Sequence, residues 1–282
     1  MRIRVIYRVL IWGLFLQTFF AHAVTYLFSH GFADSYRQAY QFTKYYSFLG
    51  IIRRNKYYII DGPLKTFDYP DAIIKPFIKL YRTSLGQTNE IEALKKSCDA
   101  LDDDVVLIGV SRGAAVALNL LGTYSMPNVK ALVVEAPFDE LKNVFDYCWY
   151  TRLIATVLRV STEKLYDWFS KISAYDPKGP RPIDMVSRIK KDLPILIICS
   201  EDDDTIRGNS SVKLYKKLCE TGHEHAYLLQ FKHGPHARLI RSKEGEAYQN
   251  VVHAFYEKYE LPHNSEFAQK GRLLFEKCLP IP

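Results

Sequence analysis

Val105-Val106-Leu107-Ile108-Gly109-Val110-Ser111-Arg112-Gly113-Ala114-Ala115-Val116-Ala117-Leu118 changes character at its centre. Its first four residues are β-branched or aliphatic without a break, as a strand buried on both faces of a parallel sheet requires. Residues 114–121 are small and aliphatic and read as a helix. Between the two, Gly109 and Gly113 stand two residues either side of Ser111. A turn that passes from strand to helix in so few residues would press larger side chains at these positions against neighbouring backbone. Glycine relieves the crowding, and the serine hydroxyl is left projecting above the edge of the sheet.

Outward from this turn, short apolar runs alternate with longer helical patterns. This is the signature of an α/β fold, a mostly parallel central sheet with helices on both faces. Residues 24–28 read as a strand, 35–46 as a helix capped by Ser35, and 57–60 and 65–67 as further strands. Residues 89–101 read as a helix with Ile91, Leu94 and Cys98 on one face. Strands are expected at 129–134, 193–199 and 226–231, and helices at 210–219 and 244–259. The break between the strands at 134 and 193 reads as a small helical cap insertion at about residues 140–190. It is rich in aromatics (Phe145, Tyr147, Trp149, Tyr150, Tyr166, Trp168, Phe169) and ends in the turn Asp176-Pro177-Lys178-Gly179-Pro180. One domain, 24–262, accounts for the pattern, with a tail at 263–282 that offers a short amphipathic helix capped by Asn264 or Ser265.

The start of the chain has a different character. Arg2, Arg4 and Arg8 precede an apolar run at residues 9–20, which ends in Ala21-His22-Ala23. Residues 1–23 therefore read as a signal peptide, and export to a periplasm or the medium is expected. The run is shorter than the ~20 residues of a bilayer crossing, so no stable membrane insertion is expected if the signal is cleaved. The alternative is an uncleaved anchor extended through residue 28. The 38 basic and 31 acidic residues give a formal charge of +7, which falls to +4 without the three leading arginines. No block of Lys and Arg interleaved with aromatics remains, and a nucleic-acid partner is not expected. The five cysteines, Cys98, Cys148, Cys199, Cys219 and Cys278, have no CxxC or metal-finger spacing, and a monomer must leave at least one unpaired.

A serine is a poor nucleophile at neutral pH, so Ser111 needs a base, and the base needs an orienting carboxylate. Two clusters follow later strands in the order acid, then histidine. Residues 195–199 run into Ser200-Glu201-Asp202-Asp203-Asp204-Thr205-Ile206, and residues 227–231 run into Lys232-His233-Gly234-Pro235-His236. The aspartates could also hold a hard cation, but they lack EF-hand spacing. A metal-binding His-x-x-His pair wants a helix, which Pro235 opposes. No metal and no cofactor is expected. His223, His225, His253 and His263 have no comparable context and read as surface residues.

Ser29-His30-Gly31-Phe32-Ala33-Asp34-Ser35, Gly109-Val110-Ser111-Arg112-Gly113, residues 193–206 and residues 233–236 together resemble the α/β-hydrolase superfamily. The resemblance is to its esterase, lysophospholipase and serine-aminopeptidase-like members, and it spans roughly residues 24–259. It implies that the backbone N–H groups of Phe32 and Arg112 form an oxyanion hole. Family spacing implies Asp203 as the acid, with Asp204 next. A base placed after a Gly-x step implies His236 over His233.

Two features depart from the family pattern. Little chain precedes the strand before His30, so the leading antiparallel strands should be reduced. Arg112 is charged where many relatives carry an uncharged residue. It is expected to pair with an acid such as Asp34 or Glu135, the alternative being attraction of an anionic substrate. The expected activity is a serine hydrolase that cleaves a carboxylic ester through an acyl-enzyme. The alternatives are a serine peptidase or amidase of the same fold and a non-catalytic binding protein. The partner is then a small acyl ester or amide. Cap aromatics would either line an apolar substrate site or pack a core of their own.

Overall fold

The structure, a computed structural model, describes residues 23–48, 51–71 and 80–278. The segment read as a signal peptide lies, apart from Ala23, outside the described residues. Among the described residues no helix is long and apolar enough to cross a membrane.

The main sheet has six strands: β1 (Val24–Ser29), β4 (Leu64–Thr66), β5 (Asp104–Val110), β6 (Val129–Glu135), β7 (Ile195–Ser200) and β8 (Ala226–Phe231). They lie in the order β4-β1-β5-β6-β7-β8, and each pairing is parallel. All six carboxyl ends therefore meet at one edge. Alternate residues face opposite cores, as a strand's period of two dictates. Ile108, Val133 and Ile198 join one core with Val251 and Phe255 of α8 (Gly245–Lys258). Leu107, Val134 and Ile197 join the other with Leu94 of α1 (Thr88–Asp99), Leu118 of α2 (Arg112–Thr123) and Leu214 of α7 (Gly208–Glu220). This is the α/β-hydrolase fold, and no antiparallel leading strand enters the sheet among the described residues.

Helices α3 (Leu141–Tyr147), α4 (Trp149–Leu158) and α5 (Thr162–Ile172) run between β6 and β7, followed by the one-turn α6 (Pro182–Met185). At the tail, α9 (Ser265–Glu276) packs against α8, and the Asn264 side chain caps it by accepting from the Glu266 and Phe267 amides.

Three local readings need correction. The helix expected over 35–46 is a short 3-10 segment, Tyr36–Gln41, followed by β2 (Tyr45–Phe48), which pairs with β3 (Ile51–Arg54) as an antiparallel hairpin. Aromatic and β-branched residues there favour a ladder over a helix. Residues 58–60 are buried, but the stretch 57–60 bends and makes only an isolated bridge, Thr43 to Ile60. Their apolarity reports burial and not strand pairing. All five cysteines are free, and Cys219 alone among them is not buried.

His223 and His253, expected at the surface, are the third correction, being only 5% and 1% exposed. His253 uses both ring nitrogens: Nδ1 accepts from the Asn264 amide, and Nε2 donates to the Tyr58 carbonyl. Burial pushes both imidazoles down to about 4, and burial together with the Arg112 charge pushes His30 down to about 3. Such groups stay neutral in the fold but bind protons in the unfolded chain below about pH 6.5, so stability is lost as pH falls. Glu135 acts the other way: burial raises its carboxyl to about 7, so it loses a proton on unfolding in the same range. The three histidines together take up more than Glu135 gives back, so stability is expected to fall as pH drops below about 6.5. Urea unfolding at pH 7 and pH 5 should show this loss, and His253→Gln should lessen the slope by about one proton.

Candidate active site

Ser111 occupies the turn between β5 and α2 with φ of 54° and ψ of −116°. The two glycines have a steric origin. A Cβ on Gly109 would lie 2.7 Å from the Gly113 carbonyl oxygen, and one on Gly113 would lie 2.0 Å from the Ser29 carbonyl oxygen. Neither position tolerates a side chain while the strands keep their register. Ala33 and Ala237, on the loops facing Ser111, also adopt positive φ, at 56° each. Backbone held in such sparsely populated conformations gathers where a surrounding site constrains it.

Loops at the common sheet edge bring Ser111, His236 and Asp203 together. His236 Nε2 lies 2.9 Å from Ser111 Oγ, and His236 Nδ1 lies 2.7 Å from Asp203 Oδ2. Asp203 Oδ1 also accepts from the Thr205 and Ile206 amides, each at 2.8 Å, which fixes the carboxylate plane. Asp203 is 3% exposed and Ser111 8%. The neighbouring acids have other partners. Asp202 holds His233 Nδ1 and the Gly234 amide, both at 2.8 Å, and these contacts draw its carboxyl down to about 2. Asp204 accepts from the Thr205 hydroxyl.

Glu135, at the end of β6, joins the parts from beneath. Its carbonyl accepts from the Ser111 amide at 2.8 Å, and its Oε1 accepts from the Leu239 amide at 3.1 Å. Sequence reasoning offers it as a partner for Arg112. It instead ties the turn at Ser111 to the loop carrying His236. Asp139 faces away, toward Ser210 and Lys213.

Arg112 pairs with neither Asp34 nor Glu135. Its guanidinium is buried against Asp71 at 2.6 Å and Glu90 at 3.4 Å, and it lies over the Tyr69 ring at 4.4 Å. Neutralised there, it is not available to attract a substrate. Glu90 also accepts from the Ser84, Leu85 and Gly86 amides, while burial pushes its carboxyl up against the pull of Arg112. Arg112 Nη2 donates to the Gly31 carbonyl at 3.2 Å. That carbonyl and the Phe32 N–H belong to one trans peptide and point in opposite directions. Holding the carbonyl therefore turns the Phe32 N–H the other way. Arg112 is the first residue of α2, so its own N–H has no acceptor within the helix. Sequence reasoning missed Asp71 and Glu90, which lie 41 and 22 residues away from Arg112 with no local motif.

Ser111 and His236 open on a cleft of about 460 Å³ that is also lined by Phe32, Arg37, Arg238 and Arg241. The cap aromatics do not line it. Phe145, Tyr166 and Phe169 pack with Tyr175 and Leu141 in a small core that also takes in Phe32, Ala115 and Ile206 from beneath the cap. Of the two readings of the aromatic cap, core packing holds for these residues. Among the described residues no cluster of three His, Cys, Asp or Glu has a metal-binding arrangement.

The family model described as "Prolyl oligopeptidase family" matches residues 87–260. No curated protein sequence matches the chain. Solved structures with the same fold include an esterase of Pyrococcus furiosus, at 18% identity and a TM-score of 0.56, with 84% of each chain covered. The acylaminoacyl peptidase of Pyrococcus horikoshii aligns at 15% identity and a TM-score of 0.60 over 88% of this chain, which spans 40% of that protein. A lipase-esterase related protein of Clostridium acetobutylicum aligns at 16% identity and a TM-score of 0.51, with 80% and 92% covered.

Proposed function

Because the chain belongs to the prolyl oligopeptidase family of α/β hydrolases, we propose that it cleaves carboxylic esters with Ser111 as nucleophile. The observation that carries this reading is the unbroken chain of contacts Ser111 Oγ, His236, Asp203, at 2.9 and 2.7 Å.

In this mechanism Ser111 Oγ attacks the substrate carbonyl carbon, and its proton passes to His236 Nε2. Asp203, fixed by two amides, accepts from Nδ1–H and stabilises the imidazolium. The Phe32 and Arg112 N–H groups receive the oxyanion of the tetrahedral intermediate. Arg112 thus serves twice, with its amide at the oxyanion and its guanidinium positioning the Phe32 peptide. The imidazolium then gives its proton to the departing alkoxide. Water, deprotonated by His236, then attacks the acyl carbon; the bond to Oγ breaks, and His236 returns the proton to Ser111 as the acid departs.

A second reading, peptide or amide hydrolysis by the same residues, is favoured by the family's description and by the likeness to an acylaminoacyl peptidase. The acylation chemistry is shared, and only the leaving group differs. A fluorophosphonate probe tests both readings against a non-catalytic binding protein. Stoichiometric labelling at Ser111, blocked by Ser111→Ala, is the expected result. A folded protein that resists the probe overturns the hydrolase reading. Matched acyl esters and aminoacyl amides then rank the two substrates by kcat/KM.

A further inference from the structure

The cleft beside Ser111 differs in charge from the rest of the site. Arg37 extends from the 3-10 segment after β1, while Arg238 and Arg241 follow His236 in the loop after β8. Asp34 is the one acid among the lining residues, and its carboxylate accepts from the Ser35 amide. All three arginines are exposed, and none forms an ion pair with a described residue. Other exposed arginines, Arg82, Arg152 and Arg188 among them, also lack an ion pair with a described residue; what sets these three apart is that they share the cleft of Ser111 and His236. Arg37 has Asp68 nearby and contacts the Tyr36 hydroxyl. Arg238 and Arg241 therefore carry most of the uncompensated charge.

A guanidinium offers a planar fork of donors that matches a carboxylate, and a cleft of one sign concentrates counter-charged ligands at its mouth. Leaving two such forks unpaired beside the nucleophile favours a substrate that supplies the missing anion. We propose that the substrate carries a carboxylate close to the scissile bond, held by Arg238 and Arg241 and assisted by Arg37. The proposal rests on the serine-hydrolase reading above. The carboxylate takes no part in bond making; it orients the carbonyl toward Ser111.

The test compares nitrophenyl and acetate esters in matched pairs. One arm places the charge on the acyl side, with 4-nitrophenyl hydrogen glutarate against 4-nitrophenyl pentanoate. The other places it on the leaving group, with the acetate ester of 4-hydroxybenzoate against that of its methyl ester. In at least one arm kcat/KM should favour the anion by about five- to tenfold at low ionic strength. The preference should shrink toward unity in ~1 M salt, where charges are screened within about 3 Å. It should vanish in the double variant Arg238→Gln/Arg241→Gln and survive in Arg238→Lys/Arg241→Lys, with thermal melts confirming that both variants fold. Equal kcat/KM in both arms overturns the proposal while leaving the hydrolase reading intact. So does a preference that persists in the glutamine variant, since other residues would then bind the anion. Failure to cleave any of the esters, together with failure of the probe to label Ser111, overturns the hydrolase reading itself and this proposal with it.

Discussion

Ser111→Ala is expected to lower kcat by up to about 10⁶-fold while leaving the fold in place. The size of the effect comes from the unit in which the hydroxyl works: without Oγ, His236 has no proton to move and Asp203 no imidazolium to stabilise. Stability should change little. The turn at 109–113 is set by Gly109, Gly113 and the amide contact from Ser111 to the Glu135 carbonyl, and alanine keeps all three. The measurement is kcat on an activated ester beside a thermal melt of the same preparation. Activity above a tenth of wild type would remove Ser111 from the mechanism.

Asp203→Asn should lower kcat by about 10⁴-fold, because an amide facing His236 Nδ1 favours the wrong tautomer and cannot stabilise the imidazolium. The comparison with its neighbours sharpens the prediction. Asp202→Asn disturbs the contacts to His233 and Gly234, and Asp204→Asn disturbs a contact to Thr205, so both should cost far less. All three variants should be assayed at saturating substrate, where kcat reports chemistry and not binding. A severe Asp202→Asn and a mild Asp203→Asn would transfer the role of base from His236 to His233.

The turn at Ser111 was readable from sequence because its requirements are local. Two glycines and a serine must stand at fixed offsets between an aliphatic run and a helix, and the backbone clashes at 109 and 113 are the reason. Burial of both sheet faces was equally readable, since the strand at 105–108 is aliphatic without a break. The three consecutive aspartates were harder. Nothing local distinguishes them, and a choice among them needed family spacing. In the fold their carboxylates take different partners because successive residues of the loop point different ways. The Arg112 partners were illegible, because Asp71 and Glu90 reach it only through tertiary packing. His223 and His253 failed for the same reason, as a lone histidine carries no local mark of burial. The 35–46 segment failed because its aromatic residues fit either period, and pairing with residues 51–54 decided the outcome.

The parallel sheet also sets an order in time. During synthesis the ribosome delivers Ser111 well before Asp203, and Asp203 before His236, which follows the last strand to join the sheet. On the mechanism proposed above, the 125 residues that follow Ser111, up to and including His236, must therefore be made before the serine gains its base. On that mechanism a growing chain carries an inert Ser111 hydroxyl, and reactivity is expected only once β8 docks beside β7. Nascent chains arrested before residue 236 should consequently escape active-site probes, whereas chains released after β8 has docked should not.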